Sequence, residues 1–356
     1  MAGRTKNEAT RTPESHRNHG ATTALLAGAV AVVALCGQAA QTHAQQHFCV
    51  AAGIDHDILE GTSDLSSCVN DANGFVDALL GDASRWNAEN VQILTDSAAT
   101  RMNIRNALYN MALSAGPNDV CVYFHSSHGG SYGGTSAYLC TYDEHYSDDE
   151  LGADIAYFFD PGATVIVIVD ACHSGGLFKD EASGKVVSPQ TAWSFGQNAM
   201  AACQATRMAE AAKSGEPLLK DPAGNVGFLT ACDYYESSWS GNPYSEFAGY
   251  VIEAFGLPEA DANGDQQCSF WELFSWAAPR AQGQTAQSCN QPLLSRTVAA
   301  RGSTSSSANT GRYRPELTPS SPNLCGAMGS GAPMLMTVGA VGLVGLARSS
   351  RIRRKR

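Results

Sequence analysis

Cations are in short supply in this chain of 356 residues: 23 Lys and Arg stand against 34 Asp and Glu, and the formal net charge is −11. A general nucleic-acid binder needs clustered cations to displace counterions from phosphates, so nucleic acid is excluded as a partner. Aromatic residues are few, at 8%, yet hydrophobic residues make up 44%, and a chain of this length can bury the core of one large domain or two small ones. Disorder over most of the chain is thereby excluded. The shortage of cations is sharper in the middle than the sum suggests. Residues 1 to 44 carry four basic and two acidic side chains and residues 348 to 356 carry six basic and none acidic, which leaves −19 for the body.

Both ends read as addresses. Ala21 to Ala40 is uncharged and apolar, follows a basic leader and ends in small residues, so residues 1 to 44 are read as a cleaved secretory signal, with a retained membrane anchor as the alternative. Gly302 to Pro322 is rich in Ser, Thr and Pro, a composition that suits an extended linker, assigned over 302 to 331. Ala332 to Ala347 is apolar and glycine-interrupted, and a basic cluster ending at Arg356 follows it. The segment 332 to 356 is read as a processed sorting tail or a C-terminal membrane anchor, and either reading puts the body outside the cytoplasm. Eleven cysteines agree with export. Setting aside Cys36, Cys325 and Cys172 leaves eight, an even number that permits disulfides without assigning any.

Between the ends, from 45 to 301, strand and helix patterns alternate. Near-continuous Val/Ile runs at 48–54, 119–126, 164–170 and 226–232 have the composition of strands buried on both faces. Helical patterns follow at 100–114, near 149–158 and around Phe247 to Phe255. The fold class is therefore α/β, a mainly parallel sheet with helices on both faces, whose ligands belong beyond the carboxyl ends of the strands. Two runs end in unusual residues there. One leads into His125, His128, Gly129 and Gly130; the other into Asp170, Cys172 and His173. A thiol nucleophile needs a base within hydrogen-bond reach and N–H donors aimed at the developing oxyanion, which a Cys and a His on neighbouring strand ends can supply. A metal site built from His125, His128, Cys172 and His173 is the competing reading.

The two motifs, Ser126-Ser127-His128-Gly129 and Asp170-Ala171-Cys172-His173-Ser174-Gly175, closely resemble those of the caspase-like cysteine peptidases (peptidase C14), particularly the metacaspase branch. Ser127 stands where that family usually has Gly. Ser67-Cys68-Val69-Asn70-Asp71-Ala72, Leu94 to Thr100 and Asp148-Asp149-Glu150-Leu151 match further family segments, so the resemblance runs from about Phe48 to Trp276. It implies a caspase-like (caspase-hemoglobinase) three-layer fold, His128 as general base and Cys172 as nucleophile, with Gly129 and Cys172 N–H groups as oxyanion donors. It also puts Asp71 and Asp170 in the pocket for the residue before the cut, with Cys68 on its wall. Two carboxylates in one pocket favour a cationic partner, hence a peptide or protein substrate cut after Arg or Lys. Two other readings are a catalytically weak caspase-fold binding or scaffold protein, motivated by Ser127, and a legumain-like peptidase selecting Asn.

No cofactor is expected for the chemistry, but calcium has two candidate seats. The resemblance implies one at Asp148, Asp149 and Asp180, although acids at a helix start also serve the helix dipole. The other stands on spacing alone: Asp261, Asn263, Asp265, Ser269 and Glu272 occupy positions 1, 3, 5, 9 and 12 of an EF-hand-like loop, with Gln266 where Gly is usual. Finally, Gly176 to Gly224 reads as a long polar segment with Lys179, Lys185, Arg207, Lys213 and Lys220 spaced through it, sites at which the chain could cut itself.

Overall fold

The computed structural model describes residues 44–132, 136–172, 195–217, 220–233 and 236–301. The expected signal, linker and tail, together with Cys36, His173, Lys179, Asp180, Lys185 and Cys325, lie outside them. Among the described residues no helix is long and apolar enough to cross a membrane.

The elements run β1 (His47–Gly53), α1 (Cys68–Leu80), β2 (Val91–Thr95), α2 (Arg101–Ser114), β3 (Val120–Ser127), β4 (Gly129–Ser131), β5 (Ala137–Cys140), β6 (His145–Ser147) and α3 (Asp148–Phe158). They continue with β7 (Thr164–Ala171), α4 (Phe195–Ser214), β8 (Val226–Thr230), α5 (Glu246–Ala254), β9 (Gln267–Ser269), α6 (Phe270–Ala277), β10 (Gln287–Cys289), α7 (Gln291–Arg296) and β11 (Val298–Arg301). A six-stranded sheet has the order β10-β8-β7-β3-β1-β2. Its strands are parallel except β10, which pairs antiparallel with β8.

Strand side chains alternate between two cores, as the period of a strand requires. Val122, Phe124, Ile166 and Ile168 face one layer with Phe75, Phe247 and Phe270 of α1, α5 and α6. Tyr123, Val165 and Val167 face the other with Ile104, Leu108, Leu151 and Phe195 of α2, α3 and α4. Burying each such side chain contributes roughly 1.5–3 kcal/mol, which is why the Val/Ile runs settle as central strands. Helix starts are fixed locally. Thr100 caps α2 by accepting from Asn103 N, and Ser147 and Glu150 form a capping box on α3.

One expectation is corrected. Residues 195–214, expected as polar loop, form α4. Its run is Ala-rich, which favours helix, and Phe195, Ala199, Cys203 and Arg207 recur every fourth residue as its buried face. α3 meets it at Gly152, where an added Cβ would lie 2.1 Å from Ala199 O. The polar character that suggested a loop belongs to the opposite, solvated face. All nine described cysteines stand as thiols, so the disulfides that an even count permits are not formed among them.

Candidate active site

Parallel pairing of β3 with β7 sets Ser126 opposite Asp170 and Ser127 opposite Ala171. His128 and Cys172 follow directly at the carboxyl edge of the sheet, both buried. Gly129 closes the approach, because a Cβ there would lie 2.2 Å from Cys172 O and only glycine fits. From Gly129 the chain turns into the small antiparallel sheet β4-β5-β6.

The imidazole of His128 is oriented by a group that no motif announced. Since a carbonyl can only accept, the ring Nε2–H donates to the carbonyl oxygen of Ser63 at 2.5 Å, so that in the neutral ring Nδ1 is the basic nitrogen. Ser63 lies in the connection between β1 and α1, a stretch without recognisable periodicity. Cys172 Sγ donates to Ser238 O at 3.7 Å, in the connection after β8. A thiol within reach of a neutral imidazole can lose its proton to that ring and attack a carbonyl carbon.

Behind the pair lie two buried carboxylates. Asp71 accepts from Ser126 Oγ at 2.7 Å, from Ser245 Oγ at 2.5 Å and from Ser245 N at 2.8 Å. Asp170 accepts from Ser238 Oγ and from Ala248 N, the latter at 2.9 Å. Hydroxyl contacts continue outward from Ser245 to Ser67 at 3.0 Å and from Ser67 to Ser240 at 2.7 Å. Burial, and next the charge of Asp170, hold the Asp71 carboxyl well above the usual carboxylate range, against the pull of the serine donors. Cys68 is also buried, and burial followed by the Asp71 charge pushes its thiol far up. Sequence reasoning found both acids and Cys68 but missed Ser238, Ser240 and Ser245. Their run, Ser237 to Ser245, shows only as a serine-rich stretch.

The metal reading of His125 does not fit its surroundings. The ring is fully buried, with Nδ1 2.7 Å from Tyr123 Oη and Nε2 2.7 Å from Ser127 Oγ, and burial lowers its pKa to about 3. No group of three or more His, Cys, Asp or Glu placed to hold a metal occurs among the described residues. Asp148 begins α3 as expected, but its carboxylate accepts from Ser136 Oγ, Ala137 N, Asn198 Nδ2 and Asp149 N at 2.7–3.1 Å, which fills its acceptor positions. Asp149 follows it in the first turn of α3.

The loop from Asp261 to Glu272 is closed by hydrogen bonds between its own side chains and backbone. Asp261 accepts from the N–H groups of Gly264, Asp265 and Gln266 at 2.8–3.2 Å. Gln266 takes φ 61°, the left-handed conformation that glycine would adopt without cost. Asn263 accepts from Asp265 N and Asp265 from Gln267 N, both at 2.8 Å. Glu272 closes the loop by accepting from Ala262 N at 3.0 Å while capping α6 through Ser269 at 2.8 Å.

A thiol and an imidazole thus share the buried carboxyl edge of a mainly parallel sheet. The Caspase domain family, Peptidase C14, matches residues 46–305, so the chain belongs to that family. Metacaspase-1A of Neurospora crassa is 29% identical over 162 residues, covering 39% of this chain and 36% of the relative. Metacaspase-4 of Arabidopsis thaliana is 32% identical over 138 residues, covering 35% and 32%. The chain thus spans about a third of the length of these curated relatives. Among solved structures, a Geobacter sulfurreducens protein is 20% identical with TM-score 0.49, over 72% of this chain and 100% of that one. Caspase-1 from Spodoptera frugiperda is 11% identical with TM-score 0.44, over 74% and 93%.

Proposed function

We propose that the chain is an exported cysteine endopeptidase that cuts after Arg or Lys, with Cys172 as nucleophile and His128 as base. The observation that carries this reading is the parallel register of β3 and β7, which ends at Ser127 opposite Ala171, one residue short of His128 and Cys172 on each strand. Cys172 Sγ gives its proton to His128 Nδ1 and attacks the scissile carbonyl carbon. The resulting oxyanion is held by the N–H groups of Gly129 and Cys172. His128 returns the proton to the leaving amine as the C–N bond breaks, and a thioester remains. Water, deprotonated by His128, then releases the acid and the thiol. Ser63, through its carbonyl, keeps Nε2 protonated throughout.

The basic preference is supported by Asp71 and Asp170, two buried carboxylates that accept from serine hydroxyls and backbone N–H groups. An Arg guanidinium offers several planar donors and a full charge, a better partner than neutral hydroxyls. Calcium activation belongs to the reading through the 261–272 loop, where Asp261 gathers three backbone N–H groups while Gln266 in place of glycine strains the turn and weakens binding, rather than through Asp148, whose acceptor positions are filled. Self-cutting cannot use Arg207, which is buried and donates to Pro222 O and Asn225 Oδ1, whereas Lys220 is exposed. Export rests on the apolar Ala21 to Ala40 segment, and association with a membrane on the tail 332–356.

Paired fluorogenic peptides ending in Arg, Lys, Asn or Asp test the reading, with and without calcium, beside Cys172→Ala. Cleavage after Arg or Lys that vanishes in Cys172→Ala is expected. Preference for Asn would transfer the chain to the legumain-like reading, and no turnover by the folded protein would leave a binding module. Intact mass after storage tests self-cutting: a fragment ending at Lys220 in the wild type but not in Cys172→Ala is expected, and identical masses contradict it.

A further inference from the structure

The peptide that joins His128 to Gly129 has two ends with different duties. Being planar and trans, it holds the His128 C=O on one edge and the Gly129 N–H on the opposite edge. The carbonyl accepts twice, from Cys140 N at 2.9 Å and from Ser127 Oγ at 2.6 Å. Ser127 is the residue that departs from the family pattern, and its hydroxyl is itself ordered from behind. Because Ser127 donates its proton to a carbonyl, the 2.7 Å contact with His125 must have Nε2–H as donor and Ser127 Oγ as acceptor. His125 Nδ1 then accepts from the Tyr123 hydroxyl, at 2.7 Å. All three side chains are buried, and burial keeps His125 neutral, against a smaller opposing effect of the Cys140 backbone.

We infer that Tyr123, His125 and Ser127 form a hydrogen-bonded chain of positioning residues that fixes and polarises the His128–Gly129 peptide, making the Gly129 N–H a stronger oxyanion donor. This deepens the peptidase reading and rests on it. Two donors on the carbonyl draw electron density from the amide and acidify the N–H on its far edge, and successive hydrogen bonds strengthen one another. They also lock the peptide plane, so the N–H need not reorient as the oxyanion forms. A chain of neutral groups does this without adding a charge beside His128. Ser127, an apparent blemish in the motif, thereby acquires a role that glycine has no atoms to perform.

The test compares wild type with Ser127→Gly, Ser127→Ala and Tyr123→Phe in the full chain, on the Arg peptide. Loss of a whole oxyanion donor costs about 10²–10³ in kcat, and weakening one should cost a part of that, roughly 5- to 20-fold for either Ser127 variant. Tyr123→Phe, at the far end, should cost about 2-fold. KM should stay near wild type in all three. Two further readouts separate positioning from general damage. The rate of Cys172 alkylation by iodoacetamide, which forms no oxyanion, should be unchanged. Affinity for an Arg peptide aldehyde, whose thiohemiacetal oxygen occupies the hole, should fall in step with kcat. Equal kcat in wild type and Ser127→Gly overturns the inference while leaving the peptidase reading intact. A fall in alkylation parallel to kcat also overturns it, since the damage would then reach the Cys172–His128 pair. A wild type that is alkylated at Cys172 but turns over no peptide overturns the peptidase reading, and the inference with it.

Discussion

Replacing Asp71 with Asn should separate stability from specificity. The carboxylate is fully buried and accepts three hydrogen bonds, all from neutral donors on Ser126 and Ser245. Burial and the Asp170 charge raise its pKa above the unfolded value, so between the two values the folded chain binds more protons than the unfolded one. Stability therefore falls as pH rises from the ordinary carboxylate pKa through the raised one. Asn carries no charge to desolvate and removes that loss, so the variant should be as stable as wild type near neutral pH, or more so, despite one imperfect amide contact. Activity should move the other way. Removing one partner of a buried charge pair costs about 3–5 kcal/mol, which at ~1.4 kcal/mol per decade is roughly a 10²- to 4 × 10³-fold loss of kcat/KM on Arg peptides. Thermal unfolding at several pH values, together with kcat/KM on paired Arg and Asn peptides, reads both effects. An Asp71→Asn enzyme within about threefold of wild type on Arg would refute the pocket argument, because it would put the loss below ~1 kcal/mol.

Three other outcomes follow from the same geometry. In wild type, kcat/KM on Arg peptides should rise with pH through the raised Asp71 pKa, because the cation binds the ionised form; Asp71→Asn should lack that limb, and an identical profile would contradict the assignment. Gly129→Ala should lower kcat by at least about 10²-fold and depress the unfolding midpoint, since its Cβ meets the Cys172 carbonyl at 2.2 Å; an active, stable variant would mean that the approach is looser than described. Millimolar calcium should raise the unfolding midpoint of wild type and not of Asp261→Ala, and an equal response in both would remove the 261–272 loop from the account.

The parallel sheet was legible because its strands are buried on both faces, and a run such as Thr164 to Asp170 has few other ways to satisfy so much apolar surface. The residues at its carboxyl edge were legible for the same reason: His128 and Cys172 stand where two apolar runs stop. Less was visible wherever a partner comes from a distant turn. Ser63 acts through its backbone carbonyl, which any residue type could provide, so no side-chain pattern marks it. Ser238 and Ser245 reach Asp170 and Asp71 across 68 and 174 residues, a closeness set by packing rather than spacing. α4 was missed because beyond Phe195 its buried face is built of Gly, Ala and Cys with the long stem of Arg207, a stripe too weakly apolar to stand out. In the 261–272 loop, Gln266 stands where glycine is usual and adopts the left-handed conformation that glycine favours.

The central claim is that one thiol among nine described cysteines is the nucleophile, activated by His128 and served by an acidic pocket. The most direct measurement is covalent labelling of the wild-type chain with a peptidyl chloromethyl ketone ending in Arg, followed by peptide mass mapping, beside the same reagent ending in Asn and beside His128→Ala. A single adduct on Cys172, formed by the Arg reagent, slow with the Asn reagent and lost in His128→Ala, is the expected result. Labelling spread over several cysteines, or undiminished in His128→Ala, would contradict the account.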